Sequence, residues 1–330
     1  MRVVFGPWIG ELGWELTSWQ GWVRHVCEHE YAEYDRVVIS SPGHDVLYGG
    51  MECEFVPLPK WFVDLPYSPR AYATDFWTKG RPKIKRAVYS GPIMKKNCKR
   101  LLLEFKNRFP ESKFVVPWEK FDYKDMYLGG ITQVDAKRGA IYVPPLIPKK
   151  YQSLVITKPS PQNVKYLKEE MTAQGFTGDE RLILVFPRNR VKNADKNWDE
   201  KYCRRVIGSL QNNFPKQTVA LVGSVKGALF GDSAVPEGCL DLIHLQKSDH
   251  MLGIHVAAMD QAKCGVGPAS GIIHTAMYAG LPCVCNIDKR THKKYPDRFT
   301  VDENPFNVQV KMLVDTVPIK RIIKSIGALS

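Results

Sequence analysis

The sequence predicts an α/β protein of two domains, each built on its own parallel sheet, and three observations carry that prediction. The chain has 330 residues, which suits two domains at roughly 150 residues each. A strand–turn–helix–strand pattern opens at the first residue and starts again from scratch near residue 180. Between the two runs Pro-rich VPPLIPKKYQSLVITKPSPQ, Val143 to Gln162, which favours an extended linker over regular pairing. The domains are therefore expected at 1–150 and 151–330. A hydrophobic content of 44% is ordinary for a globular chain and excludes wholesale disorder.

Each element has its own reason. Met1 to Phe5 is a short β-type run entering GPWIGELGWEL, with an apolar-periodic stretch to about Val26 and a second strand in DRVVISS, Asp35 to Ser41. The second start comes at ERLILVFPRNR, Glu180 to Arg190, a buried strand ending in a basic loop. Helix-like DEKYCRRVIGSLQNNF, Asp199 to Phe214, and the strand QTVALVGS follow, and KYLKEEMTAQGF, Lys165 to Phe176, reads as a helix leading into this domain. From Cys264 to Ile287 no Asp, Glu, Lys or Arg occurs, yet Gly265, Gly267, Pro268, Gly271, Gly280 and Pro282 interrupt the stretch. A buried strand–turn–helix–strand fits that better than a membrane span.

The start of the chain does not read as a secretory signal, because Glu11 and Glu15 follow a very short apolar run. The eight cysteines form no C-x-x-C pair and no zinc spacing with histidine, which points to reduced thiols in a cytoplasmic setting and to no structural metal. The net charge of +13 is compatible with nucleic-acid partners, with nucleotide phosphates or with no specific partner.

Three segments could carry chemistry. In the first, Gly265-Val266-Gly267-Pro268-Ala269-Ser270-Gly271, a helix starting at about Ser270 would aim backbone N–H groups at a phosphate, with Gly271 leaving room for the ligand. A tight turn with a capping serine is the plainer alternative. The spacing also approaches a dinucleotide fingerprint with Asp288 as ribose partner, but with one residue too many. The second is PRNRVKNADKNW, where Arg188, Arg190, Lys192 and Lys196 stand at a strand end against Asp195 alone. No D-x-D triplet occurs, so cations rather than a metal would meet a diphosphate leaving group. The third is GPWIGELGWELTSWQGW, where Gly10 and Gly13 flank Glu11. Glu11 fits a general base in a Trp-rich place and fits equally an acid at a helix start. For Glu15 the helix-dipole role is preferred, with Trp8, Trp14, Trp19 and Trp22 packing around it.

In this order the three segments resemble a GT-B glycosyltransferase of the metal-independent heptosyltransferase-like group. That group has a Gly-Asp turn after its first strand, matched here by Gly10-Glu11; a loop ending Lys-x-Trp, matched by Lys196-Asn197-Trp198; and an Asp-Thr-Gly-x-x-His turn, matched with two changes by Ala269-Ser270-Gly271-Ile272-Ile273-His274. The resemblance implies two Rossmann-like α/β domains facing a central cleft, the N-terminal one binding the acceptor and the C-terminal one the nucleotide sugar. It implies inverting sugar transfer without metal or cofactor, with Glu11 as base and Gly10 and Trp14 beside the acceptor. Arg188, Arg190, Lys196, Ser270 and Gly271 would hold the donor. His274 would orient the donor or, more simply, fill the core.

Residues 79 to 108 hold a dense positive segment that includes Lys83, Lys85 and Arg86, with Glu104 its one acid and Tyr72, Phe76, Trp77 and Tyr89 within or beside it. Such a patch fits phosphate neutralisation and stacking on a base. Glycosyltransferases acting on hydroxymethylated pyrimidines in viral DNA share the GT-B fold and size. The expected acceptor is therefore double-stranded DNA, with the protein in the host cytoplasm if it is viral. A lipid-linked or polysaccharide acceptor is the first alternative; an NAD(P)-dependent oxidoreductase and a non-catalytic DNA-binding protein are the others.

Overall fold

The first strand forms because Val3, Val4 and Phe5 are all fully buried, an apolar run suited to a sheet covered on both faces. The computed structural model describes residues 1–9, 12, 15–64, 92–116, 157–190, 194–287, 310–314 and 317–329. By its internal contacts the chain divides into two units, Met1–Val155 and Ile156–Ser330.

In unit 1, β1 (Arg2–Phe5), β2 (Asp35–Ser40), β3 (Glu54–Pro57) and β4 (Lys113–Val115) form a parallel sheet in the order β3-β2-β1-β4. The chain builds outward from β1 on one side and returns to its other side, so the order reverses between β1 and β4. After β1 the backbone turns at Gly6, whose φ of 120° suits only glycine; a Cβ there would lie 2.5 Å from the Ile39 carbonyl. The Trp8 N–H then donates to that same carbonyl at 2.8 Å, drawing the segment across the end of β2. The apolar-periodic stretch becomes a π-helical turn, Glu15–Trp19, and then α1 (Gln20–His29), which runs three residues past Val26. Trp8 stacks on Trp19 and Trp19 on Trp22, with centroids 5.5 and 5.4 Å apart. A longer helix, α2 (Pro92–Arg108), precedes β4.

Unit 2 holds a parallel sheet of order β10-β9-β8-β5-β6-β7, with β5 (Leu182–Val185), β6 (Thr218–Val222), β7 (Leu240–Leu242), β8 (Ala262–Pro268), β9 (Cys283–Ile287) and β10 (Val310–Val314). All four residues of β5 are fully buried. α3 (Pro161–Ala173) begins four residues before the expected Lys165, because Ser160 caps it by accepting from the Asn163 N–H at 3.2 Å and Pro161 suits the first turn. α4 (Glu200–Asn213) is capped by Asp199, which accepts from the Tyr202 N–H at 2.7 Å. The charge-free stretch folds as β8, α6 (Gly271–Tyr278) and β9, after α5 (Met251–Gln261). α7 (Ile319–Gly327) closes the unit and packs on α4. No described helix is long and apolar enough to cross a membrane. All eight cysteines are free, and burial pushes the Cys264 and Cys285 thiols up to about 12.

Candidate functional site

In unit 2 the chain runs from β5 out to β7 and then crosses back to β8 on the other side of β5. Ligands of open parallel sheets bind where the order reverses, outside the carboxyl ends of the strands. The basic loop leaves β5 there and the Ser270 turn leaves β8 there. One residue ties them together. Asn286, on β9, accepts from the Trp198 indole N–H at 2.9 Å through its side chain, accepts from the Ala269 N–H at 2.9 Å through its backbone, and donates to the Leu313 carbonyl at 3.0 Å. Sequence reasoning missed Asn286; its signal is a lone amide closing the apolar run Cys283-Val284-Cys285.

The basic loop is itself clamped. Asn197 Oδ1 accepts from the Arg188 guanidinium and, at 3.1 Å, from the Arg190 N–H, while its amide donates to the Arg190 carbonyl at 2.8 Å. The loop after β6 stitches on from the other side, with Asn189 N–H to Gly227 O at 2.8 Å and Leu229 N–H to Pro187 O at 2.7 Å. Arg188 is 8% exposed and turned inward onto Asn197, so its charge holds the loop together. Arg190 is half-buried, as is Lys196, whose ammonium stands close enough to β9 to pull the Cys285 thiol down against the larger effect of burial.

At the other edge Ser270 is the N-cap of α6 in extended conformation, yet its side chain makes no cap bond, and among the described residues its buried Oγ has no hydrogen-bond partner. Gly271, at the first helical position, is exposed, and a Cβ built on it meets nothing within 4 Å. Gly265 and Gly267 differ: a Cβ on either would come within 2.6 or 2.7 Å of Phe186. The resemblance of this run to a dinucleotide fingerprint is thus one of packing, since its first two glycines make room for a phenylalanine. His274 is half-buried one turn into α6, at the edge of the core rather than in it. Asp288 and Lys192 lie outside the described residues, and of the Asp195 side chain nothing is described.

In unit 1, Glu11, Gly10, Trp14, Lys83, Lys85 and Arg86 also lie outside the described residues, as do Tyr72, Phe76, Trp77 and Tyr89. Glu15 is described, and it stands in the first turn of the π-helical segment, at a helix start as expected. It is fully buried, and its Oε1 accepts from Ser40 Oγ and from the Tyr48 hydroxyl at 2.8 Å, while Oε2 meets His44 Nδ1 at 2.6 Å. These partners are side chains of Ser40, the last residue of β2, and of the segment that follows. Arg24 of α1 fixes that segment by donating to the carbonyls of Leu47 at 3.0 Å and Gly49 at 2.8 Å. Among the described residues no group of three His, Cys, Asp or Glu side chains could hold a metal ion.

Over its whole length the chain is similar to the glycosyl transferase family 9 structure from Veillonella parvula DSM 2008, with a TM-score of 0.55 at 11% identity, covering 99% of this chain and 96% of that one. It is also similar to E. coli ADP-heptose LPS heptosyltransferase II, with a TM-score of 0.51 at 14% identity, covering 100% and 98%. The chain has the GT-B fold. At these identities the likeness is one of fold, and function has to be argued from the GT-B chain's own residues. No protein-family model matches the sequence, and no curated protein does.

Proposed function

We propose that the chain is a metal-independent, inverting glycosyltransferase that moves a sugar from a nucleotide-sugar donor to an acceptor hydroxyl. The observation that carries the reading is the junction at the strand-order reversal of unit 2. There Asn286 ties the Lys196 loop to the turn where Ser270 leaves Oγ unpartnered at the start of α6. A helix N-terminus beside fixed cations suits a diphosphate whose negative charge grows as the sugar leaves. The fold shared with two glycosyltransferases supports the same chemistry.

Under this reading Lys196, Arg190, Ser270 and the amides near Gly271 hold the diphosphate, and Arg188 shapes the loop that presents them. Unit 1 receives the acceptor, and Glu11 is the base that the sequence offers. For the acceptor we favour a hydroxymethylated pyrimidine in double-stranded DNA. Its support is electrostatic: Lys96, Lys99, Arg100, Lys106 and Arg108 are all exposed along α2.

Thermal melting with UDP-, GDP- and ADP-sugars and with NAD(P) tests the donor, because a ligand that binds only the folded state raises the melting temperature. A rise with one nucleotide sugar is the expected result; a rise with NAD(P) alone overturns the reading in favour of an oxidoreductase. Transfer of labelled sugar to hydroxymethylated duplex DNA, compared with lipid-linked and polysaccharide acceptors, tests the acceptor. Label in the lipid or glycan alone refutes DNA.

A further inference from the structure

Glu15 has no solvent exposure, and a carboxylate in such a place has to be answered by donors. Ser40 and Tyr48 hydroxyls answer one oxygen and His44 Nδ1 the other. A buried polar cluster is a weak device for stability, since apolar side chains of similar volume usually serve as well. Something other than stability is needed to account for four polar side chains drawn from a π-helical turn, the end of β2 and the segment after it.

We propose that His44, oriented by Glu15, takes the proton from the acceptor hydroxyl. The inference rests on the glycosyltransferase reading and moves the base from Glu11 to this pair. Both lone-pair-rich oxygens of Glu15 face donors, and the tautomer that fits the 2.6 Å contact has Nδ1–H donating to Oε2. That leaves the lone pair on Nε2. No hydrogen bond engages Nε2 among the described residues, and the His44 side chain keeps 8% exposure where that of Glu15 has none. His44 follows the carboxyl end of β2, the strand paired with β1, at the end of the sheet where ligands of open parallel sheets bind. Glu15 opens a π-helical turn, a distortion that recurs at functional sites. Arg24 locks the opposing segment, so the imidazole is held before any acceptor arrives.

The step balances within the groups named. The acceptor O–H bond breaks and its proton goes to Nε2. The freed oxygen pair bonds the anomeric carbon, and the bond from that carbon to the diphosphate oxygen breaks, its electrons leaving with the nucleoside diphosphate. Glu15 offsets the imidazolium charge, and the proton passes to water as product departs.

The test is His44→Asn, in which the amide N–H replaces Nδ1 toward Glu15 and nothing replaces Nε2. We expect kcat to fall by about 10²–10⁴-fold, with donor KM and the nucleotide-induced rise in melting temperature unchanged. Unchanged kcat in His44→Asn, or loss of turnover in Glu11→Gln with His44→Asn active, overturns the assignment while leaving the transferase intact. A wild-type chain that neither binds nor uses a nucleotide sugar removes the transferase reading and this one with it. Should His44→Asn fail to fold, His44→Gly with added imidazole decides: recovered turnover supports the base, and none refutes it. Glu15 is a positioning residue, so imidazole should rescue His44→Gly far better than the double variant with Glu15→Gln. Equal rescue refutes the pairing.

Discussion

Replacing Gly267 by alanine would set a methyl group 2.7 Å from Phe186 Cβ and 2.9 Å from the Phe186 carbonyl oxygen. Neither neighbour can yield. Phe186 is 1% exposed, and β8 is paired on both sides, with β5 and with β9. Gly265→Ala meets the ring of the same phenylalanine, at 2.6 Å from Cε2 and 2.9 Å from Cζ, and Cys283 Sγ at 3.3 Å. A buried ring edge can tilt slightly where backbone cannot, so Gly267 is the costlier site. Overpacking costs about 1–3 kcal/mol, and in a unit of this size each kcal/mol lowers the melting temperature by about 2–4 °C. We therefore expect losses of about 2–12 °C, with Gly267→Ala toward the upper end. Gly271→Ala meets nothing within 4 Å and adds a better helix former, so the fold should tolerate it. Its methyl stands where a phosphate would approach α6, and it should shrink the stabilisation given by a nucleotide sugar. Calorimetry of the three variants with and without the nucleotide sugar checks all of this. Gly267→Ala melting like wild type refutes the packing argument, and Gly271→Ala with a full ligand shift refutes the phosphate site.

Other outcomes follow from the same geometry. Lys196→Ala should weaken donor binding by about 10- to 100-fold, the loss of one charge-assisted bond to phosphate; titration calorimetry measures it. Asn286→Leu strands the Trp198 indole and the Leu313 carbonyl, costing about 1–3 kcal/mol in urea unfolding and reducing donor affinity besides. Burial pushes the His255 imidazole down to about 4 against the opposing bond to the Leu242 carbonyl. Below its unfolded value near 6.5 the unfolded chain takes a proton that the folded chain refuses, so stability falls as pH drops toward 4. Between pH 7.5 and 4.5 that one residue should remove about 2–3 kcal/mol, and His255→Gln should show a correspondingly smaller loss in urea melts at the two pH values.

Much of the fold was legible in the sequence because buried parallel strands are written as uninterrupted apolar runs. Leu182–Val185 and Thr218–Val222 could hardly be anything else, and Ser160-Pro161 marks a helix start by itself once the linker reading is set aside. The Ser270 turn was legible for the same reason: its cap, its glycine and its apolar helix are neighbours in the chain. What escaped was built from distant residues. Glu15 meets partners 25, 29 and 33 residues away, and Asn286 joins positions 88 residues before it and 27 after. An acid near a helix start already has a sufficient local explanation, so no local signal directs attention to Ser40, His44 and Tyr48.

Charge shows the same division between composition and placement. Four cations between Arg188 and Lys196 look interchangeable in a count. Arg188 is nevertheless buried and bound to Asn197, whereas Lys196 is half-buried and its charge acts on the Cys285 thiol of β9. A guanidinium offers five fixed donors and suits a structural clamp; an ammonium is a compact point charge and suits a mobile phosphate. The two should therefore fail differently. Arg188→Lys keeps the charge and loses the fork that Asn197 receives, so it should lower the melting temperature along with donor affinity. Lys196→Arg keeps the charge but not its compact form, and should cost donor affinity. If Arg188→Lys changes neither stability nor binding, the inward arginine is not what shapes the loop, and the charge there faces the ligand after all.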